Sequence, residues 1–540
     1  MNLESPVNPS RWNALRMIAL SFVVPLLAFG LALPGKASGP DGIAWVPGAS
    51  VADVDRAFEQ ARSTGRPLFL YWGAQWCPPC NQVKAMVFSR ADFVAQSRHF
   101  VAVPLDGDSP SAQKLAARFK VRGYPTMILF TPQGQELTRL PGEVDAPLYV
   151  QSLAAALAGG RPVADLLAAA QRGEPLNAAQ WRQLAWYAWD TDEQRLLPEA
   201  QRTRVLLQLA HAAGQSQAGG QPVAAMRLQL KAVLAAADSK DTAALDADAR
   251  FAAGAALLRL LGDGSSAREQ MDLVTNYAKE LVGALSQPGT PQRVQLVAAW
   301  DQAARRLQAD ATLSRTDRLG ALYARVALAR LDEADDAPAS PGAVPAALQA
   351  EVLALVQTFE REITAGYELQ TVIPTAADVL KRAGLMAQSD ALLKANLAKS
   401  PSPYYLMSQL AGNAKARGDK ADALQWYQRA WETSKGPATR VQWGASYITA
   451  LVDLAPEQST RIEKTATTVL GELAATPDAF YERNARSVQR IGKKLVAWNA
   501  QGQYRAPLDR LARRLAPVCA QLLAGDAQRS ACDGVFAKPS

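Results

Sequence analysis

Cys77 and Cys80, in the run Trp76-Cys77-Pro78-Pro79-Cys80, are where this 540-residue sequence commits to a chemistry. Two cysteines separated by two residues can close into a small disulfide or open into a dithiol, so the chemistry on offer is thiol–disulfide exchange. The same spacing also makes half of a zinc site, but no second Cys-x-x-Cys exists to complete one, and no metal is expected. An inert local disulfide is the plain alternative. Cys519 and Cys532 stand 13 positions apart around Gly525-Asp526, a turn, and read as a candidate structural disulfide at the C-terminal end. Two separately reactive thiols are the alternative. The two histidines, His99 and His211, are too few for a His-based metal site or triad and read as packing or surface residues.

The elements around the pair are legible. The apolar run 67–72 reads as a buried strand, and 81–88 reads as a helix with Val83, Met86 and Val87 at helical spacing. Cys77 then sits where a strand ends and a helix begins. Prolines are tolerated there because first-turn N–H groups have no partner within the helix. The positive end of the helix dipole favours a thiolate. Residues 51–64 read as a helix ended by Gly65, 100–105 as a strand, and Asp106-Gly107-Asp108 as a solvated turn. Further helices are expected over 109–119 and 146–157, and strands over 127–130 and 136–140, turned by Pro132-Gln133-Gly134. That order makes a compact α/β domain over 51–159, preceded by a linker at 38–50.

The cysteine run, followed by Val121-Arg122-Gly123-Tyr124-Pro125-Thr126, resembles the thioredoxin family, most of all its exported members with a variable dipeptide between the cysteines. The resemblance covers about residues 45–160 and implies an α/β thioredoxin fold. It implies that Cys77 is the nucleophile, that Cys80 resolves the mixed disulfide, and that Pro125 is cis and faces the pair. Trp76, Tyr124 and Pro125 would then contact the substrate, and no cofactor is needed. One departure stands out: many thioredoxins place a buried acid six positions before the first cysteine, where this chain has Tyr71. A tyrosine accepts the resolving thiol's proton poorly. The two prolines also withhold two N–H donors from the Cys77 sulfur.

Length and composition set the frame. At 540 residues, at least two domains are expected, and 49% apolar residues are normal for a globular chain. A net charge of +8 is small for this length, and no basic block interleaved with aromatics is present, so nucleic acid is not an expected partner. Arg11 and Arg16 precede an apolar segment, Met17 to Leu33, and Gly35-Lys36-Ala37 offers small residues at a cleavage site. Residues 1–37 therefore read as an export signal, or as an uncleaved membrane anchor, and place the rest outside the cytoplasm, in the periplasm.

From Gly159 onward, alanine and leucine dominate, and an all-α array or solenoid is expected over 162–332 and 346–540, with a polar break at 333–345. The tryptophans at 181, 186 and 189 read as core. Near 370–437, Gly384 and Gly418, Ser400 and Ser434, and Pro403 and Pro437 recur at an interval of 34, which resembles tetratricopeptide repeats. Such arrays bind protein or peptide. The expected function is therefore an exported thiol–disulfide oxidoreductase whose partners are cysteine-bearing clients, chosen by the array, and an upstream redox partner. A redox-linked binding module or holdase chaperone, with the thioredoxin-like domain mainly docking, is the alternative. Membrane association follows only if the leader stays uncleaved.

Overall fold

The computed structural model describes residues 42–537 except 110, 141–144, 159, 193–195, 217–219, 240–244, 335–341 and 477. The export segment at 1–37 and part of the polar break lie outside the described residues. Among the described residues, no helix is long and apolar enough to cross a membrane.

The first part is a thioredoxin-like sheet domain. Its strands β1 (Leu68–Gly73), β2 (Val101–Asp106), β3 (Thr126–Phe130) and β4 (Glu136–Leu140) lie in the order β2-β1-β3-β4. β1 runs parallel to β2 and antiparallel to β3, and β4 closes the sheet antiparallel to β3. Side chains alternate between the faces, as the strand period requires. Leu68, Leu70 and Trp72 meet α1 (Val51–Thr64), while Phe69 and Tyr71 meet α2 (Pro78–Val83) and α3 (Ala91–Ser97). α4 (Ala112–Phe119) covers the first face and α5 (Ala146–Leu157) the second. Both faces are thus buried, which explains the near-continuous apolar runs.

Three local readings change. Residues 42–50 are no free linker: Ile43 is fully buried, Val46 N–H donates to the Ala102 carbonyl at 2.9 Å, and Trp45 bridges to β2. Their backbone pairs with the open edge of β2 at Ala102. Helix α3 has few apolar residues and escaped the periodicity reading, yet Phe93 is fully buried. α2 runs into a π turn, Lys84–Phe88, so the cysteine-bearing helix is not one regular helix.

From Val163 onward the described residues form no strand. Helices pack around three successive apolar clusters. Trp181, Trp186, Tyr187 and Trp189 are core, each at most 3% exposed. The chain over 264–285 folds as three short helices, Gly264–Glu269, Met271–Asn276 and Ala278–Leu285. The breaks aim Gln270 and Asp272 inward, where Arg227 takes hydrogen bonds from neither and donates to both, at 2.7 Å and 2.9 Å. Further on, helices Gly366–Arg382 and Met386–Asn396, and then Pro403–Ala416 and Lys420–Thr433, pair across turns at Gly384 and Gly418. Both glycines have positive φ, 83° and 79°, which a side chain would resist. At the C-terminal end, Cys519 and Cys532 are joined in a disulfide, and both belong to the last apolar cluster.

Candidate functional site

Cys77 is the N-cap of α2, and Pro78 and Pro79 are its first two residues. Neither proline has an N–H, so the first amide able to face the sulfur is that of Cys80, which donates to Cys77 Sγ at 3.3 Å. Cys77 and Cys80 are joined in a disulfide. Cys77 is 3% exposed and Cys80 fully buried. The Tyr124 carbonyl oxygen stands 3.6 Å from Cys77 Sγ, and the Tyr124–Pro125 peptide is cis. Trp76 and Tyr124 pack against the pair, with ring centroids 6.4 Å apart. The structure thus gathers Trp76, Cys77, Cys80 and the Tyr124–Pro125 bond at the end of β1. Cys519 and Cys532 lie in the C-terminal helices and bond to each other.

Beneath the pair, Tyr71 is buried, and its hydroxyl donates to the Cys80 carbonyl at 3.4 Å. Burial pushes the Asp106 carboxyl above its ordinary value, against the pull of Lys84, and burial lowers the Lys84 ammonium. Burial likewise pushes the Tyr124 phenol up.

The sequence reading of Asp106-Gly107-Asp108 as a solvated turn fails at Asp108. Its side chain is 14% exposed. Its carboxylate accepts from Trp76 Nε1 at 3.1 Å, from Thr439 N at 2.7 Å, from Thr439 Oγ1 at 2.6 Å and from Arg483 at 3.3 Å. Thr439 lies in the first turn of helix Pro437–Leu454, whose own N-cap, Gly436, has no side chain to offer. Asp108 therefore caps a helix of the array from across the domain boundary. A Cβ on Gly436 would stand 2.6 Å from the Asp108 carboxyl carbon, so glycine admits the carboxylate. Gln113 on α4 repeats the arrangement. Its Oε1 accepts the Arg483 N–H at 3.0 Å, in the first turn of helix Glu482–Trp498, where the N-cap Tyr481 makes no side-chain cap.

More of the array reaches the same face. Tyr405 stacks on Trp76 with ring centroids 6.4 Å apart, and the Arg483 guanidinium lies 5.1 Å from the Trp76 ring and 5.4 Å from the Tyr124 ring. Asn81 donates to Gln370 and Gln82 to Asp317, each at 2.7 Å. Burial pushes the Asp317 carboxyl up, although bonds from Ser314 and Gln82 oppose it. A polar cleft of about 600 Å³ remains beside Pro78 and Pro79, walled by Gln82, Thr371, Tyr405 and Gln409. Asp108, Tyr405, Thr439 and Arg483 were not found from the sequence. No local signal marks them, since the Asp108 bonds to Thr439 and Arg483 span 331 and 375 residues.

Comparison with known proteins supports the same domain. The model of a thioredoxin-like domain matches residues 54–157. Thiol:disulfide interchange protein DsbD 2 of Pseudomonas aeruginosa is 32% identical over 99 residues, 18% of this chain and 17% of that protein. Thiol:disulfide interchange protein DsbD of Ralstonia nicotianae is 31% identical over 136 residues, 25% of this chain and 22% of that protein. The chain therefore spans about a fifth of the length of these curated relatives. Among solved structures, a thioredoxin from Thermus thermophilus aligns at 27% identity, covering 21% of this chain and 85% of that one, with a TM-score of 0.19.

Proposed function

We propose that this protein is an exported thiol–disulfide oxidoreductase acting on cysteine-bearing client proteins. The observation that carries the reading is the Cys77–Cys80 disulfide at the start of α2, beside the Tyr124 carbonyl, in a thioredoxin-like domain. The similarity to interchange proteins points the same way. In the reducing direction, the Cys77 thiolate attacks one sulfur of a client disulfide and the other leaves as a thiolate. The Cys80 thiolate then attacks Cys77 Sγ, releases the second client thiolate and closes the Cys77–Cys80 bond. Two electrons pass to the client, and an upstream dithiol returns them to the pair. In the oxidising direction, a client thiolate attacks Cys77 Sγ, Cys80 leaves as a thiolate, and a second client thiol completes the transfer. Trp76, Tyr124 and Pro125 form the wall a client meets. The helical region selects partners, with tetratricopeptide-like pairs near 370–437, and the leader at 1–37 directs the chain to the periplasm.

Trapping tests this reading. In a Cys80→Ala variant, clients should accumulate as mixed disulfides on Cys77, and Cys77→Ala should abolish both insulin reduction and oxidation of a reduced model protein. Clients attached to Cys80 in the Cys77→Ala variant would reverse the assigned roles. A second reading, a binding module or holdase chaperone, draws on the docking of Trp76 against Tyr405, since a docking unit would present such a face. Suppression of client aggregation by a Cys77→Ala/Cys80→Ala double variant, at the level of the unmodified protein, would favour it.

A further inference from the structure

The cysteine pair is covered by the chain's own array. Disulfide exchange requires the attacking sulfur to approach along the S–S bond, with room for the chain that carries it. Cys77 is 3% exposed, and the approach over Trp76 and Tyr124 is filled by Tyr405 and Arg483. The cover is anchored by complementary chemistry. Two array helices begin with N-caps that make no side-chain capping bond, and the thioredoxin-like domain supplies Asp108 and Gln113 to their first turns. Asp108 also accepts from the indole of Trp76, so the residue that holds the array is the residue that holds the tryptophan beside the cysteines.

We propose that this arrangement is a closed state of the redox site, latched by Asp108, and that a macromolecular thiol reaches Cys77 only after the array lifts from the catalytic face. The cleft beside Pro78 and Pro79 borders the loop that carries the pair, so a reagent of a few atoms needs far less opening there than a macromolecule does. The inference deepens the oxidoreductase reading by giving it a gate, and it rests on that reading only for the identity of what enters.

Access is measured without any exchange activity. The full chain, with the pair reduced by dithiothreitol, is labelled either with iodoacetamide or with a maleimide carried on a large polyethylene glycol. Peptide mass spectrometry follows Cys77 separately from Cys519 and Cys532. Two variants open the interface at different places: Asp108→Ala removes the latch, and Gln82→Glu sets a carboxylate against Asp317 without touching Trp76. Each should raise the rate with the large reagent about tenfold, the scale of one lost charge-assisted hydrogen bond, and leave the small-reagent rate within about twofold. No acceleration in either variant overturns the gate. Acceleration in Asp108→Ala alone also overturns it, because the effect is then local to Trp76. Equal acceleration with both reagents overturns it as general loosening. Absence of client exchange, with the size-selective labelling intact, would instead count against the oxidoreductase reading and leave the gate standing.

Discussion

A methyl group on Gly107 would stand 2.5 Å from the Tyr124 ring, closer than any real Cβ contact. Gly107 follows β2 and lets Tyr124 pack down beside Cys77, where the phenol also meets Gln113 at 3.4 Å. Gly107→Ala must push that ring, and with it the carbonyl beside Cys77 Sγ. We expect a loss of about 1–3 kcal/mol of stability, the usual cost of overpacking, together with slower exchange at Cys77. Urea unfolding and insulin turnover measure the two, and an unchanged variant would show that Tyr124 is not held by this contact. Asp108, one residue on, shows why single positions mislead. Asp-Gly-Asp after a strand has the composition of an exposed turn, and the array adds the Thr439 and Arg483 donors to the one that Trp76 brings to the second carboxylate.

At the scale of elements, the helix Pro222–Asp238 is tied to its neighbours by two buried cations, Lys231 against Asp190 and, more deeply, Arg227. Arg227 is fully buried and donates to the Ala185 carbonyl at 3.0 Å, to Gln270 at 2.7 Å and to both oxygens of Asp272 at 2.9 Å and 2.7 Å. Burial by itself pushes the Asp272 carboxyl up, but the Arg227 charge and hydrogen bonds outweigh it and hold the carboxyl below its ordinary value. A carboxyl lowered by folding contributes stability that is complete above its unfolded value and lost as pH falls through its folded value. Arg227→Met leaves Asp272 buried without that partner and should cost about 3–5 kcal/mol at neutral pH. Acidification protonates the orphaned carboxyl in the variant and weakens the pair in the parent. The difference between their urea midpoints should therefore narrow from neutral pH to about pH 4. A constant difference would mean that the loss comes from packing alone.

For the molecule as a whole, the sheet domain and the array share an interface of specific bonds. Besides the Asp108 and Gln113 caps, Asn81–Gln370 and Gln82–Asp317 join them at 2.7 Å, Arg486 reaches the Arg122 carbonyl at 3.1 Å, and Arg268 meets Asp145 at 3.0 Å. Trp76 itself packs against the array's largest apolar cluster. Unfolding followed by far-ultraviolet circular dichroism and by tryptophan fluorescence should accordingly show coincident midpoints. Two separated transitions would show that the interface contributes little to stability. Arg268→Ala, which removes its partly exposed pairs with Asp145 and Asp310, should lower the midpoint only slightly, because each such pair is worth under about 1 kcal/mol.

What the sequence determined by itself is local. Strand β1, the cysteine loop, the strand after Tyr124-Pro125 and the helical texture beyond Gly159 all follow from apolar periodicity, proline and glycine placement and the spacing of two cysteines. These are properties of neighbouring residues, and the observed elements lie within a few positions of the expected ones. Only the tertiary structure decided that residues 42–50 dock on β2, that the chain over 264–285 divides into three short helices around Arg227, and that array helices cap themselves on Asp108 and Gln113. Each of these depends on a donor and an acceptor brought together from distant parts of the chain. An unsatisfied helix N-terminus reads the same in sequence whether water or a carboxylate hundreds of residues away completes it.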